Sequence, residues 1–266
     1  MNRIDARFAE LRQAGRVAFI PYITTGDPDL DTTVDVVCAL EASGADLVEL
    51  GVPYSDPLAD GPTIQDAFTR VLATGFHVDD TFEVARRVRG KSDVPLLTMV
   101  SYSIVYRYGI EKFVTNAVAA GVDGAIIPDL SVADGKELLD FAAARDFKTV
   151  LLVAPTTEPE READVIEHAT GFVYCISVVG ITGARDELPI ELADHVARLK
   201  TLTDKPICVG FGVSKPTHVK TVAAIADGVI VGSAIVKLIA KHADDRAKML
   251  AELSAFVTDL TAPLRS

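Results

Sequence analysis

Hydrophobic residues cluster in eight short runs along the chain, and each run is rich in β-branched side chains. The runs are almost continuously apolar rather than alternating, which is typical of strands covered on both faces in a parallel sheet. We therefore predict strands at Val17–Thr24, Leu47–Gly51, Pro95–Val100, Gly124–Pro128, Thr149–Ala154, Phe172–Val178, Pro206–Gly210 and Gly228–Gly232.

Between these runs, apolar residues recur at helical spacing. In Thr33–Ala42, for example, Val34, Val37, Cys38 and Leu40 form one apolar stripe. The same spacing predicts helices at Ile110–Ala120, Val132–Ala144, Glu160–Ala169, Glu191–Leu202 and Pro216–Ala224, two helices after the second strand at Thr63–Ala73 and Val78–Arg89, and flanking helices at Ile4–Ala14 and Ala247–Leu260.

Strands that alternate with helices indicate parallel pairing with right-handed crossovers. Eight such units in 266 residues predict a (β/α)8 TIM barrel with extra flanking helices, as a single domain over residues 1–266. The alternative is an open doubly wound sheet. Against it, Gly26-Asp-Pro28 follows the first strand where a dinucleotide-binding sheet has Gly-x-Gly-x-x-Gly.

Composition and charge exclude several classes of function. The net charge is −12 and no Lys/Arg cluster offers the basic face that a nucleic-acid binder needs, so we expect no nucleic-acid partner. The N-terminus is polar and no apolar run approaches the roughly 20 residues of a membrane span, so we expect a cytoplasmic protein without a membrane partner. The five histidines and three cysteines (Cys38, Cys175, Cys208) lack metal-ligand spacing, so we expect no metal and reduced, buried thiols.

Two carboxylates near the end of the second predicted strand are candidates for acid–base chemistry. Glu49 lies inside an apolar strand, where burial would raise its pKa into the range a general acid or base needs. A structural carboxylate bonded to its neighbours is the alternative. Asp60 precedes Gly61-Pro62, and Pro62 can occupy the first position of a helix. Asp60 either takes part in the chemistry or only accepts hydrogen bonds from the free backbone N–H groups at the start of that helix. Asp56 reads by default as a turn residue before Pro57.

Glycine-rich turns follow the last three predicted strands. Gly210-Phe-Gly-Val-Ser214 and Val231-Gly-Ser-Ala-Ile235 come after strands seven and eight, and the second of them opens a helix. Gly180-Ile-Thr-Gly183 follows strand six. Backbone N–H groups at such turns bind anions, and phosphate often lies at the last two loops of this fold. The sequence therefore predicts a phosphate site, although each glycine alone is also explained by a tight turn.

Together these motifs resemble the tryptophan synthase alpha subunit over nearly the whole chain. The similarity includes Pro21-Tyr-Ile-Thr-Thr-Gly-Asp-Pro28, the long stretch Glu49-Leu-Gly-Val-Pro-Tyr-Ser-Asp-Pro-Leu-Ala-Asp-Gly-Pro-Thr-Ile-Gln65, Gly121-Val-Asp-Gly-Ala-Ile-Ile-Pro-Asp-Leu130, Ala154-Pro-Thr-Thr157 and the three glycine turns. The resemblance implies cleavage of indole-3-glycerol phosphate to indole and glyceraldehyde 3-phosphate, without a cofactor in this subunit.

The resemblance also implies roles for individual residues. Glu49 would carry the proton transfers, and Asp60 would accept a hydrogen bond from the indole N–H. Phosphate would bind at Gly183, Gly212, Gly232 and Ser233, with Thr182 and Phe211 beside them. The indole pocket would be formed by Tyr22, Ile64, Tyr174 and Ile230, and less plausibly by Ile126, which reads better as core. Loops Pro53–Asp60 and Val179–Pro189 would close over the substrate, with Thr182 bonding Asp60.

A partner follows from the same resemblance. It implies a beta subunit that carries pyridoxal phosphate, receives indole and forms an alpha2-beta2 heterotetramer, contacting this chain near Asp56, Pro57 and Asp129. Ser101, Ser103 and Val178 depart from the common family pattern near the site or the partner surface. Two alternatives remain: a lyase that needs no partner, and a catalytically silent barrel that only activates the beta subunit.

Overall fold

Eight parallel strands close into a barrel in a computed structural model that describes residues 1–57, 60–176, 190–210 and 212–265. Each strand pairs with the next along the chain, and the eighth pairs with the first. The strands are β1 Ala18–Thr24, β2 Val48–Gly51, β3 Leu96–Met99, β4 Gly124–Ile126, β5 Lys148–Val153, β6 Val173–Ile176, β7 Ile207–Gly210 and β8 Gly228–Val231. The predicted (β/α)8 barrel is confirmed, and the open sheet is wrong.

Helices follow the strands and surround the barrel. They are α1 Arg3–Gln13, α2 Leu30–Ala42, α3 Pro62–Leu72, α4 Val78–Arg89, α5 Tyr102–Tyr108, α6 Ile110–Ala119, α7 Val132–Ala143, α8 Pro159–His168, α9 Ile190–Leu202, α10 Pro216–Ala223, α11 Ser233–Lys241 and α12 Arg246–Thr261, with a last 3-10 turn at Ala262–Leu264. The expected flanking helices are α1 and α12, and the expected pair after the second strand is α3 and α4.

One helix, α5, was not predicted from the sequence. It has only seven residues, and its tyrosines and β-branched residues favour strands over helices. Its start is fixed by Ser101, whose Oγ accepts a hydrogen bond from the Ser103 backbone N–H. A local cap therefore stabilises a helix that hydrophobic spacing cannot identify.

The interior of the barrel is closed at its amino-terminal end by α1. Ile4, Phe8 and Leu11 of this helix pack in the same cluster as the inward-facing strand residues, and the rings of Phe8 and Phe172 lie 5.7 Å apart. Each large apolar side chain buried in this way contributes about 1.5–3 kcal/mol to folding. The carboxyl ends of the strands, at the opposite end, are where the polar candidates lie.

A second, larger core fills the space between the strands and the surrounding helices. Its largest buried side chains include Phe19, Phe82, Phe113 and Phe147. With both faces of the sheet covered, the strands need no polar face, which explains their continuous apolar sequence. No helix in the described part of the chain has both the length and the apolar character that a membrane span requires.

Candidate active site

A cavity of about 290 Å³ opens at the carboxyl ends of the strands. Every candidate catalytic, indole or phosphate residue that the structure describes lines it, except Ile126. The lining residues are Tyr22, Glu49, Asp60, Gly61, Ile64, Met99, Tyr174, Gly212, Val213, Ser214, Ile230, Gly232, Ser233 and Ala234. The sequence motifs thus converge on one site although they lie up to 212 positions apart in the chain, from Tyr22 to Ala234.

Glu49 lies on β2, paired in register with Tyr22 of β1 and Leu97 of β3. Its side chain is fully buried, and neither carboxyl oxygen has a hydrogen-bond partner among the described residues. Burial without compensating donors raises the pKa of Glu49 to about 8. The carboxyl group therefore holds a proton near neutral pH and can release it to a suitable base, as a general acid and base must. No described residue bonds Glu49 in the way that a structural carboxylate would be bonded.

Asp60 lies in the loop between β2 and α3 and is half-buried. Its Oδ2 accepts a hydrogen bond of 3.5 Å from the Tyr54 hydroxyl, and its backbone carbonyl accepts one of 2.7 Å from Gln65 Nε2. Burial raises the pKa of Asp60, and the Tyr54 hydroxyl opposes the shift. Gly61 is the N-cap of α3, without a side-chain cap, so Asp60 is not the helix-start residue.

The other side of the cavity is suited to an anion. Gly232 is the N-cap of α11, and Ser233 and Ala234 begin that helix beside the cavity. Gly212, whose φ of +79° favours glycine, lines the cavity from the loop after β7. N–H groups in the first turn of a helix lack intrahelical partners and carry partial positive charge. This side of the cavity can therefore hold a phosphate without a lysine or arginine.

Apolar side chains form the remaining wall. Ile64 comes from α3 and Ile230 from β8, and both are almost fully buried. Met99, at the end of β3, also lines the cavity and was missed by sequence reasoning. Its position as the last residue of an inward-facing strand series was the available signal. Ile126 is fully buried within the barrel interior and does not line the cavity.

Two tyrosines reach over glycines on the neighbouring strands. A Cβ atom on Gly51 would lie 2.1 Å from the Tyr22 hydroxyl, and one on Gly210 would lie 2.3 Å from the Tyr174 hydroxyl. No side chain fits in either place. These glycines therefore fix where the two phenol rings lie above the barrel interior.

The candidate partner residues lie at the rim. Asp56 and Asp129 are exposed, and Pro57 is partly exposed. The carboxylate of Asp129 accepts hydrogen bonds of 2.7 Å from the Ser101 hydroxyl and from the Tyr102 backbone N–H. Ser101, one of the residues that depart from the pattern of the similar family, thus connects the start of α5 to Asp129. The hydroxyl of Ser103, a second such residue, lies 2.8 Å from the hydroxyl of Ser101.

Several predictions lie outside the described residues. These are Thr182, Gly183 and Phe211, the unusual Val178, the loop Val179–Pro189, and two residues of the loop Pro53–Asp60. Within the described ranges, no group of three His, Cys, Asp or Glu side chains could hold a metal ion.

The family model described as tryptophan synthase alpha chain matches residues 8–264. The chain belongs to this family. A tryptophan synthase alpha chain of Caldanaerobacter subterraneus subsp. tengcongensis is 48% identical over 260 residues, which cover 98% of both proteins. One from Chloroflexus aggregans is 45% identical over 266 residues, covering 100% of this chain and 96% of that protein.

Solved structures of the tryptophan synthase alpha family agree with the fold. The alpha subunit from Legionella pneumophila strain Paris superimposes with a TM-score of 0.92 at 33% identity, covering 100% of this chain and 99% of that one. A chain from the tryptophan synthase a2b2 complex of the hyperthermophile Pyrococcus furiosus superimposes with a TM-score of 0.86 at 40% identity, covering 92% of this chain and 98% of that one. Family membership implies a lyase with a role in tryptophan biosynthesis.

Proposed function

We propose that the chain cleaves indole-3-glycerol phosphate to indole and glyceraldehyde 3-phosphate. The observation that carries the proposal is Glu49, a fully buried carboxyl group without a partner among the described residues, which faces a cavity that also contains a helix N-terminus. An acid–base group and an anion site in one apolar cavity suit a substrate with an aromatic ring at one end and a phosphate at the other.

The phosphate would bind against the first turn of α11, at Gly232 and Ser233, and against Gly212. We extend this set to Gly183, with Thr182 and Phe211 beside it. The indole ring would lie among Tyr22, Ile64, Met99, Tyr174 and Ile230. Binding energy from the phosphate would hold the scissile bond beside Glu49, so that recognition of a remote group assists the chemistry.

Two proton movements are required. Protonation of indole C3 makes the ring a competent leaving group, and the hydroxyl on the adjacent chain carbon loses its proton as the aldehyde forms. Since burial raises the pKa of Glu49 to about 8, the carboxyl group can donate and accept protons near neutral pH. We assign both transfers to Glu49.

Asp60 would interact with the ring rather than with the chain. C3 protonation places positive charge on the indole nitrogen, and a carboxylate that accepts a hydrogen bond from the N–H stabilises that charge. Asp60 lies on a loop and already accepts a hydrogen bond from Tyr54. Closure of the loops Pro53–Asp60 and Val179–Pro189, with Thr182 bonding Asp60, would exclude water while the charge develops.

We further propose a beta-subunit partner, bound near Asp56, Pro57 and Asp129, in an alpha2-beta2 heterotetramer. The a2b2 complex of the Pyrococcus furiosus relative supports this assembly. Pyridoxal phosphate would belong to the beta subunit, and the chemistry assigned to this chain uses only its own side chains. Indole would pass directly from the cavity to the partner.

The test is indole release from indole-3-glycerol phosphate, measured with and without the beta subunit from the same source. We expect slow cleavage by the isolated chain and faster cleavage in the complex. Equal rates would favour a lyase that needs no partner. No cleavage in either state, with partner activation retained, would favour a silent barrel and overturn the proposal.

A further inference from the structure

The hydroxyl group of Tyr22 is buried without a hydrogen-bond partner among the described residues. Tyr22 is only 4% exposed, and its Oη is one of the orphaned polar atoms of the barrel. A buried hydroxyl normally finds a partner, because losing its bonds to water carries a free-energy penalty. A phenylalanine would form the same apolar wall without that penalty, so the hydroxyl needs its own explanation.

The Tyr22 ring lies between the two chemically distinct sides of the cavity. Its hydroxyl rests on Gly51, two residues beyond Glu49 on the same face of β2. On the other side, a Cβ atom on Gly232 would lie 3.6 Å from Tyr22 Cβ and Cδ1. The chain of a substrate whose phosphate binds at Gly232 must therefore pass Tyr22 to reach Glu49.

We propose that Tyr22 Oη donates a hydrogen bond to the chain hydroxyl oxygen that loses its proton to Glu49. This inference rests on the proposed function. In the step, the O–H bond breaks, its proton passes to the Glu49 carboxylate, and its electron pair forms the aldehyde C=O as the carbon–carbon bond breaks. The electron pair of the carbon–carbon bond returns to the C3-protonated ring to give indole. Negative charge grows on the oxygen as the proton leaves, and a fixed donor in a dry site stabilises it.

The phenol is suited to donate rather than to exchange its proton. Burial is the largest factor that raises the pKa of Tyr22, and the nearby Thr24 side chain opposes the shift. The carboxyl groups of Asp60 and Glu49 and the Tyr54 hydroxyl raise it further. Thr24 Oγ1 does not reach hydrogen-bonding geometry with Tyr22, since neither hydroxyl has a partner among the described residues. Tyr22 therefore stays neutral wherever the enzyme is active, and it keeps its proton available for a hydrogen bond. The Tyr22 hydroxyl and the Glu49 carboxyl group, neither of which has a partner among the described residues, would both gain one when the substrate binds.

Tyr22→Phe tests the assignment, because it removes one oxygen atom and keeps the ring. We expect kcat/KM for indole-3-glycerol phosphate to fall by about 10–100-fold, mainly through kcat, while Tm stays the same or rises. The affinity for indole-3-propyl phosphate, which has the ring and the phosphate but no chain hydroxyls, should not change.

Thr98→Val is the matched control. Thr98 Oγ1 is also buried without a partner in the described part of the chain, but Thr98 pairs in register with Leu50 and Ala125 of the outer core and does not line the cavity. We expect wild-type kcat/KM in this variant. Its Tm reports what removal of an orphaned hydroxyl does by itself.

Each remaining outcome overturns the inference. A Tyr22→Phe variant within twofold of wild type would show that the hydroxyl does not act. Equal losses of kcat/KM and of affinity for indole-3-propyl phosphate would mean that Tyr22 only shapes the cavity. A displaced acidic limb of the kcat/KM pH profile, with kcat at the plateau unchanged, would mean that Tyr22 acts on Glu49 instead of substrate. Failure of the wild type to cleave the substrate would overturn the proposed function itself.

Discussion

Two glutamates in the described part of the chain are fully buried, and their surroundings are opposite. Glu162 on α8 accepts a hydrogen bond of 2.7 Å from His195 Nε2, and two further bonds from the guanidinium group of Arg198. Glu49 on β2 has no partner among the described residues and faces the cavity. The same side chain at the same depth is thus bonded at one place and unpaired at the other.

The bonded glutamate belongs to a cluster behind β6. Because His195 Nε2 donates to Glu162, Nδ1 is free to accept from the Cys175 thiol, whose sulfur lies 3.6 Å away. Burial raises the pKa of this thiol to about 12, so it stays protonated and unreactive. The cluster connects α8, α9 and β6 and needs no ligand to be complete. Glu49 lacks such compensation, and an uncompensated buried acid beside a cavity is typical of catalysis.

The comparison is tested most strongly by Glu49→Gln, which removes the acid and keeps the shape. General acid–base groups contribute about 10²–10⁴-fold to rate, so we expect indole release to fall by about 10³-fold. Beta-subunit binding and the circular dichroism spectrum should be unchanged. Turnover like that of the wild type would show that another group moves the protons.

The second test is Glu162→Ala, which should impair folding rather than chemistry. Removal of one partner of a buried ionic cluster costs about 3 kcal/mol, because His195 keeps a buried N–H without an acceptor. Tm should fall by roughly 6–12 °C. The folded variant should retain kcat within a few-fold at 25 °C. A loss of kcat with an unchanged Tm would place this cluster in the catalytic machinery and remove the contrast with Glu49.

The barrel was predictable because its signals are local and repeated. Continuous apolar runs mark β1 to β8, and the strand ends then locate Glu49 at the active face. The Glu162 cluster was not predictable, because His195 and Arg198 lie more than 30 positions away from Glu162. Only the packing of α8 against α9 brings them together. Helix α5 was missed because a two-turn helix rich in tyrosine depends on the Ser101 cap. Met99 was missed although its place at the end of β3, two residues after the inward-facing Leu97, was an available signal.

Asp60 is intermediate between the two glutamates, since it is half-buried and has one weak side-chain bond. Asp60→Asn removes the charge that faces the ring nitrogen, and we expect kcat to fall by about 10²-fold. Asp60→Glu keeps the charge on a longer side chain and should lose less. Steady-state indole release distinguishes these variants. An equal loss in both would show that position rather than charge matters here.

The smallest effect is the contribution of Glu49 to the pH dependence of the protein's stability. Its pKa rises on folding from 4.5 to about 8, so between these values the folded protein binds a proton that the unfolded chain has released. Stability therefore falls as the pH rises through this window, and Glu49→Gln lacks this loss. From pH 6 to pH 7 the wild type should lose about 1.4 kcal/mol relative to Glu49→Gln, or roughly 3–5 °C in Tm. Calorimetry of both proteins at the two pH values measures the difference directly. If the Tm difference between the two proteins is the same at both pH values, Glu49 is already ionised in the folded protein. A cation or hydrogen-bond donor near β2 would then have to stabilise the carboxylate, and Glu49 would not differ from the bonded Glu162.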